Sequence, residues 1–118
     1  MDQTGSDDYQ WKQTLYDGAR LYSENRDYLV NLLQNTSGHD SFMRYMTEIN
    51  CAALEKYILS VNGKRRLTHQ EMMYVKIYCH GIVGLACEWI LGQTDTTLEE
   101  IAEVYERSIP DPLKKYLL

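Results

Sequence analysis

Proline is nearly absent from this chain. Pro110 and Pro112 are its only two among 118 residues, so nothing before residue 110 forbids long helices. Cysteine is scarce and odd in number. Cys51, Cys79 and Cys87 include no Cys-x-x-Cys pair, which excludes a disulfide framework and reads as small buried hydrophobes in a reducing compartment. Basic charge is also short: twelve Lys and Arg stand against seventeen Asp and Glu, a formal net charge of −5. Nucleic-acid affinity comes largely from neutralising phosphates, so this chain by itself is a poor binder of DNA or RNA. Long apolar runs are missing too. The stretch between Lys76 and Glu88 is interrupted by His80, Gly81 and Gly84 and is far too short to span a bilayer. Residues 1 to 9 are acidic and polar, unlike a secretory leader. These absences leave a soluble, cytoplasmic protein with no membrane association as the expectation.

The length predicts one domain, able to bury about two-thirds of the surface its unfolded form exposes. Strand alternation is hard to find, whereas apolar spacings of three and four recur throughout, so an all-α fold of about five helices in an antiparallel bundle is expected. Residues 1–8 read as a frayed, disordered segment and 9–118 as the folded domain. A first helix from Asp8 to Ser23 aligns Trp11, Leu15, Ala19 and Tyr22. A short second one, Asn25 to Leu33, turns Tyr28, Leu29 and Leu32 inward. Its end is marked by the polar stretch Gln34 to His39. The third, Asp40 to Val61, carries Phe42, Met46, Ile49, Ala53 and Tyr57 on one face and stops at Asn62-Gly63. The basic cluster that follows, Lys64-Arg65-Arg66, reads as a solvated turn, with a phosphate patch as the rival reading.

The fourth helix is the most informative. Thr68-His69-Gln70-Glu71 has the capping-box pattern, and Gly92 suits the other end, giving a helix about 36 Å long. Lys76 and Glu88 are its only formal charges between Met72 and Leu91. One face holds Met72, Val75, Cys79, Ile82, Val83, Ala86 and Ile90. The other holds Met73, Tyr74, Ile77, Gly81, Gly84, Leu85 and Leu91, with Glu88 among them. A helix apolar nearly all round must be covered nearly all round. In so small a chain the second face is expected to meet another copy, the rival being a central helix wrapped by its own neighbours. Gly81, Gly84, Leu85 and Glu88, with Tyr105 of the fifth helix, are the expected homodimer interface. The fifth helix starts at Thr96 or Thr97, where Thr97 and Glu100 again fit a capping box, and buries Leu98, Ile101, Ala102, Tyr105 and Ile109. Pro112 to Leu118 is expected to add no more than one loose turn.

No catalytic constellation is present: no phosphate-cradling glycine loop, no Gly-x-Ser-x-Gly elbow, no His-Glu-x-x-His. An enzyme is therefore not expected, nor a cofactor. His80 and Cys87 share a helix face but stand two turns apart, roughly 10 Å, too far for one metal ion to bind both. Tyrosine is plentiful instead, ten against a single Phe. Each Tyr brings apolar area with a hydroxyl that needs a partner. Tyr45, Tyr57, Tyr74 and Tyr78 fall near expected core positions. Asn50 lies among Met46, Ala53 and Tyr57, and His80 lies between the two faces of the fourth helix. A bundle cavity with apolar walls and a few convergent polar groups is the usual form of a small-molecule site. Asn50, Tyr57, Tyr78 and His80 are the expected polar groups of such a pocket, with Trp11 and Met46 as walls.

Three segments carry a family resemblance. Tyr22-Ser23-Glu24-Asn25-Arg26-Asp27-Tyr28, followed by Leu32-Leu33 and Ser41-Phe42, resembles the opening of the C-terminal regulatory domain of TetR-family transcriptional regulators. So does His80 to Ile90, with its Gly-x-x-Gly-x-x-x-x-Trp pattern, and Thr97 to Ala102 resembles the family's closing helix. The branch most resembled includes regulators of dihydroxyacetone kinase operons. The resemblance implies an all-helical domain that binds a small effector and dimerises through its last two long helices. It also implies an N-terminal helix-turn-helix domain that reads DNA. No basic segment of that kind precedes residue 15 here, so contact with DNA is expected only through a part missing from this chain. The rival function is a helical interaction module regulated by a partner protein rather than a small ligand.

Overall fold

The computed structural model describes residues 11–34, 38–63 and 65–117. The described residues form six helices: α1 (Trp11–Glu24), α2 (Arg26–Gln34), α3 (Gly38–Val61), α4 (His69–Ile90), α5 (Leu98–Arg107) and α6 (Asp111–Leu117). No strand occurs among the described residues. The start expected for α1 at Asp8, the frayed segment 1–8 and part of the break at 35–37 lie outside those residues.

Local chemistry sets the ends of α4. The Thr68 hydroxyl accepts the Glu71 N–H at 3.1 Å, and the Glu71 carboxylate accepts the Thr68 N–H at 2.8 Å. Gly63 (φ +76°) and Gly92 (φ +78°) follow α3 and α4 in the left-handed conformation that only glycine adopts without strain. Asn62 organises the intervening turn, donating to the Arg65 carbonyl and accepting its N–H, while Arg65 and Arg66 stay exposed. At Thr97 only half of the expected box forms. Thr97 caps Glu100 N–H, but the Glu100 carboxylate takes the Thr96 hydroxyl instead of reaching back to the Thr97 backbone.

The helix α4 is the hub: α1, α2, α3 and α6 all pack on it, and α1 also lies along α5. Its inner face buries Val75, Cys79, Val83, Ala86 and Ile90. The core continues through Trp11, Leu15 and Ala19 of α1 and Ile101 and Tyr105 of α5. Burying each of the larger aliphatic side chains among them, such as Leu15, Val83 or Ile101, contributes about 1.5–3 kcal/mol. The Arg26 guanidinium donates to the Trp89 carbonyl at 3.0 Å, a second bond to an oxygen that also accepts the Gly92 N–H at 3.1 Å, and so ties α2 to the end of α4.

Three expectations are corrected. Six helices occur among the described residues where about five were expected, because the residues after Pro110 form α6, with Leu113 and Leu117 in the core, rather than a loose turn. Proline at 112 is harmless there, because the first turn of a helix has no intrahelical use for that N–H. On α2, Tyr28 points to solvent with 68% of its surface exposed, and Leu33 takes the inner place. On α3 the buried stripe is Thr47, Leu54 and Ile58, about one residue round from the one expected, leaving Ile49 and Ala53 exposed. Apolar residues all round α3 allowed either stripe, and contact with α4 decided between them.

Candidate functional site

One stripe of α3, beside the one buried on α4, fronts a cavity. Met46, Ile49 and Asn50 face Trp11, Thr14, Leu15, Gly18 and Tyr22 of α1 across a space of about 160 Å³, closed below by Ile82 and Ala86 of α4 and Tyr105 of α5. The same spacing of three and four that buries Trp11, Leu15 and Ala19 sets Thr14 and Gly18 beside them on the inner side of α1.

The walls are apolar and carry no formal charge. Burial raises the Tyr22 hydroxyl above its ordinary range, with Cys87 nearby adding to the effect. The Tyr105 hydroxyl is raised the same way, again chiefly by burial and secondarily by Tyr22, so both remain neutral at physiological pH. Polar capacity is spare inside this space. The Thr14 hydroxyl is buried without a hydrogen-bond partner. Asn50, half-buried, gives one of its two amide N–H groups to the Met46 carbonyl at 2.8 Å. Trp11, 5% exposed, presents its indole N–H beside the Tyr78 hydroxyl and makes no well-formed hydrogen bond. A buried polar atom without a partner costs about 1–3 kcal/mol, so such atoms in a cavity wall need an occupant to satisfy them.

Of the residues expected to form a pocket, Trp11, Met46 and Asn50 line this cavity. Tyr57 does not. It stacks obliquely on Trp11, ring centroids 5.4 Å apart, and supports that wall from behind. Tyr78 is buried in the core with its hydroxyl given to the Tyr105 carbonyl at 2.6 Å. His80 is exposed on another side of α4, in a polar groove with Arg44, Glu48 and Lys76. Tyr45, expected near the core, is exposed as well. Sequence reasoning missed Thr14, Gly18 and Tyr105 as lining residues. The available signal was a threonine and a glycine, three and seven positions after Trp11, within an apolar stripe.

The second face of α4 stays open. Ile77 is 68% exposed and Met73 46%, and neither α3 nor α6 covers them. Beside them a groove of about 220 Å³ runs between α4 and α5, walled by Ile77, Gly81, Leu85, Val104 and Pro110, with Ile82 and Tyr105 at its floor. A Cβ on Gly81 would meet nothing within 4 Å, whereas one on Gly84 would meet the Met43 methyl at 4.0 Å. Glu88 is exposed and accepts the Thr94 hydroxyl at 3.0 Å, bracing the turn after α4. Of the expected interface residues, Gly81, Leu85 and Tyr105 line this groove. Tyr105 is turned inward and buried, and Gly84 abuts α3 of its own chain.

Comparison with known proteins agrees with this architecture. Residues 9–111 match the family TetR_C_8, the transcriptional regulator C-terminal region. The chain belongs to this family: it is the C-terminal region of a TetR-type transcriptional regulator. No curated protein and no solved structure gives a significant match. Among the described residues, no helix is long and apolar enough to cross a membrane, and no group of three or more His, Cys, Asp or Glu is placed to hold a metal ion.

Proposed function

We propose that this domain senses a small effector in the cavity between α1, α3 and α4, and pairs with a second copy through the open face of α4 and α5. One observation carries the reading: Ile82 and Tyr105 line both the cavity and the outer groove. An occupant that presses on these two side chains moves a wall of the dimer face. Packed interfaces have discrete arrangements, so a small displacement there selects between them. In the parent regulator this would set the spacing of two DNA-binding heads. The motifs shared with the dihydroxyacetone kinase operon branch, and a cytoplasmic location, fit this role and rest on sequence alone.

A mid-helix glycine costs about 1 kcal/mol relative to alanine, and nothing in its own chain requires Gly81. A second backbone approaching α4 supplies a reason for it. Light scattering after gel filtration tests the pairing. The expected mass is twice 13.8 kDa and stable on dilution, falling to one chain mass for Ile77→Arg. A wild-type chain that stays at 13.8 kDa at every concentration rejects it.

A second reading, regulation by a partner protein, has one observation in its favour. Leu21 (58% exposed) and Ile49 rim the cavity mouth, and Tyr45 lies exposed on the same helix as Ile49, more apolar surface than a closed ligand site needs. Arg substitution at Leu21 separates the two readings: it blocks a protein partner but spares a ligand seated against Trp11 and Thr14.

A further inference from the structure

We infer that the occupant of the α1–α3–α4 cavity is a neutral, single-ring molecule bearing one hydroxyl group, an inference that rests on the effector reading above. Size sets the first bound. A dry apolar cavity of about 150 Å³ accommodates benzene, and this one measures about 160 Å³. Charge sets the second. No Lys, Arg, His, Asp or Glu lines the space, and the tyrosine hydroxyls in its wall are held neutral by burial. Lys12, Asp17 and Arg20 of α1 are engaged outside it, Lys12 with Glu106 at 3.9 Å and Arg20 with Asp17 at 4.0 Å. A carboxylate, phosphate or ammonium placed there would lose its hydration and gain no counter-charge, which is prohibitive.

Polarity sets the third. The Thr14 hydroxyl is buried, unpartnered and able both to donate and to accept. Asn50 lines the same space with an amide oxygen, which accepts, and keeps one N–H beyond the one given to Met46. A ligand hydroxyl meets both needs, accepting from Thr14 and offering its proton to an acceptor such as Asn50. A ketone meets only the first, and a hydrocarbon meets neither. The flat walls offered by Trp11 and Tyr22, with the adaptable thioether of Met46, suit a ring over a chain.

Calorimetric titration of the 118-residue chain with four single-ring probes of similar size tests this: benzyl alcohol, toluene, benzoate and benzylamine. Benzyl alcohol is expected to bind at least about tenfold more tightly than either charged probe. Thr14→Val keeps the shape and removes the hydroxyl. It is expected to weaken benzyl alcohol about fivefold while leaving toluene unchanged, and Thr14→Ser to restore the difference. Benzoate or benzylamine binding as tightly as benzyl alcohol overturns the inference and leaves the effector site standing. So does a Thr14→Val chain, folded by circular dichroism, with unaltered affinities. If none of the four binds but a wider fragment library perturbs the Met46 methyl signal, the ligand class is wrong and the site is right. If nothing perturbs it, both fall.

Discussion

The Tyr78 hydroxyl donates a 2.6 Å hydrogen bond to the Tyr105 carbonyl, joining the middle of α4 to the last turn of α5. That carbonyl is one of the orphan acceptors at the helix end, because the Ile109 N–H goes to Glu106 instead. The bond fixes where Tyr105 stands, and the Tyr105 ring in turn separates the inner cavity from the outer groove. Tyr78→Phe leaves the buried carbonyl unpaired. It should cost about 1–3 kcal/mol in a urea melt and loosen the coupling between cavity and dimer face. Free energies of coupling are reciprocal, so an effector that tightens the dimer must itself bind more tightly to the dimer.

Two glycines separate stability from association. A Cβ on Gly18 or on Gly81 would meet nothing within 4 Å. Gly18→Ala should stabilise the chain by about 0.5–1 kcal/mol through lost unfolded-state freedom. Gly81→Leu should leave unfolding at low concentration unchanged or improved, yet weaken self-association by at least about tenfold in sedimentation. If the two variants behave alike in sedimentation, the open face of α4 is not the dimer face.

The last helix is clamped to the start of α4. The Tyr116 hydroxyl donates to Glu71 Oε2 at 2.6 Å, with Lys115 3.9 Å from the same oxygen, while Glu71 Oε1 holds the Thr68 N–H. Tyr116 first, and Thr68 second, hold the Glu71 carboxyl below the usual glutamate range. The ionised form is therefore favoured by folding. Its contribution is complete above the unfolded glutamate value and disappears as pH falls through the lower folded value. Tyr116→Phe should cost about 1–2 kcal/mol at neutral pH, and the gap from wild type should narrow in acid. A gap that widens in acid contradicts this assignment.

Leu113 is completely buried, at the centre of the α6 contact with α4 and α3. Leu113→Ala should lower stability by about 2–5 kcal/mol, measured by chemical denaturation. A cost under about 0.5 kcal/mol would mean that α6 is a loose appendage.

Much of this fold was legible before any coordinates. Caps and breakers are local chemistry, so Thr68, Glu71, Gly63 and Gly92 announce the ends of α3 and α4 by themselves. The apolar periodicity of α1, α4 and α5 likewise names the buried residues Leu15, Val83 and Ile101. Rotation of a helix about its axis is not local. On α3, with apolar residues on every side, only packing against α4 selects Leu54 and Ile58 over Ile49 and Ala53. The site shows the same division. Trp11, Met46 and Asn50 are readable as polar or bulky residues on inner stripes. Tyr78 and His80 stand outside the cavity because one residue of helical rotation, 100°, separates a cavity wall from the core or from solvent. The helix α6 reads in the sequence as a loose turn because its seven residues are too few to show a period, and its stability comes from Leu113, Leu117 and the Tyr116–Glu71 bond.

The five methionines allow a decisive measurement. Met46 lines the inner cavity, whereas Met73 stands on the open face of α4. With the methyl groups isotopically labelled, a fragment library is titrated into the chain and the methyl spectrum followed. An effector site between α1, α3 and α4 requires bound fragments to shift the Met46 signal together with the Trp11 indole N–H, with smaller changes at Met73. Fragments that shift Met73 and leave Met46 and Trp11 still, or a library that moves neither, would contradict it.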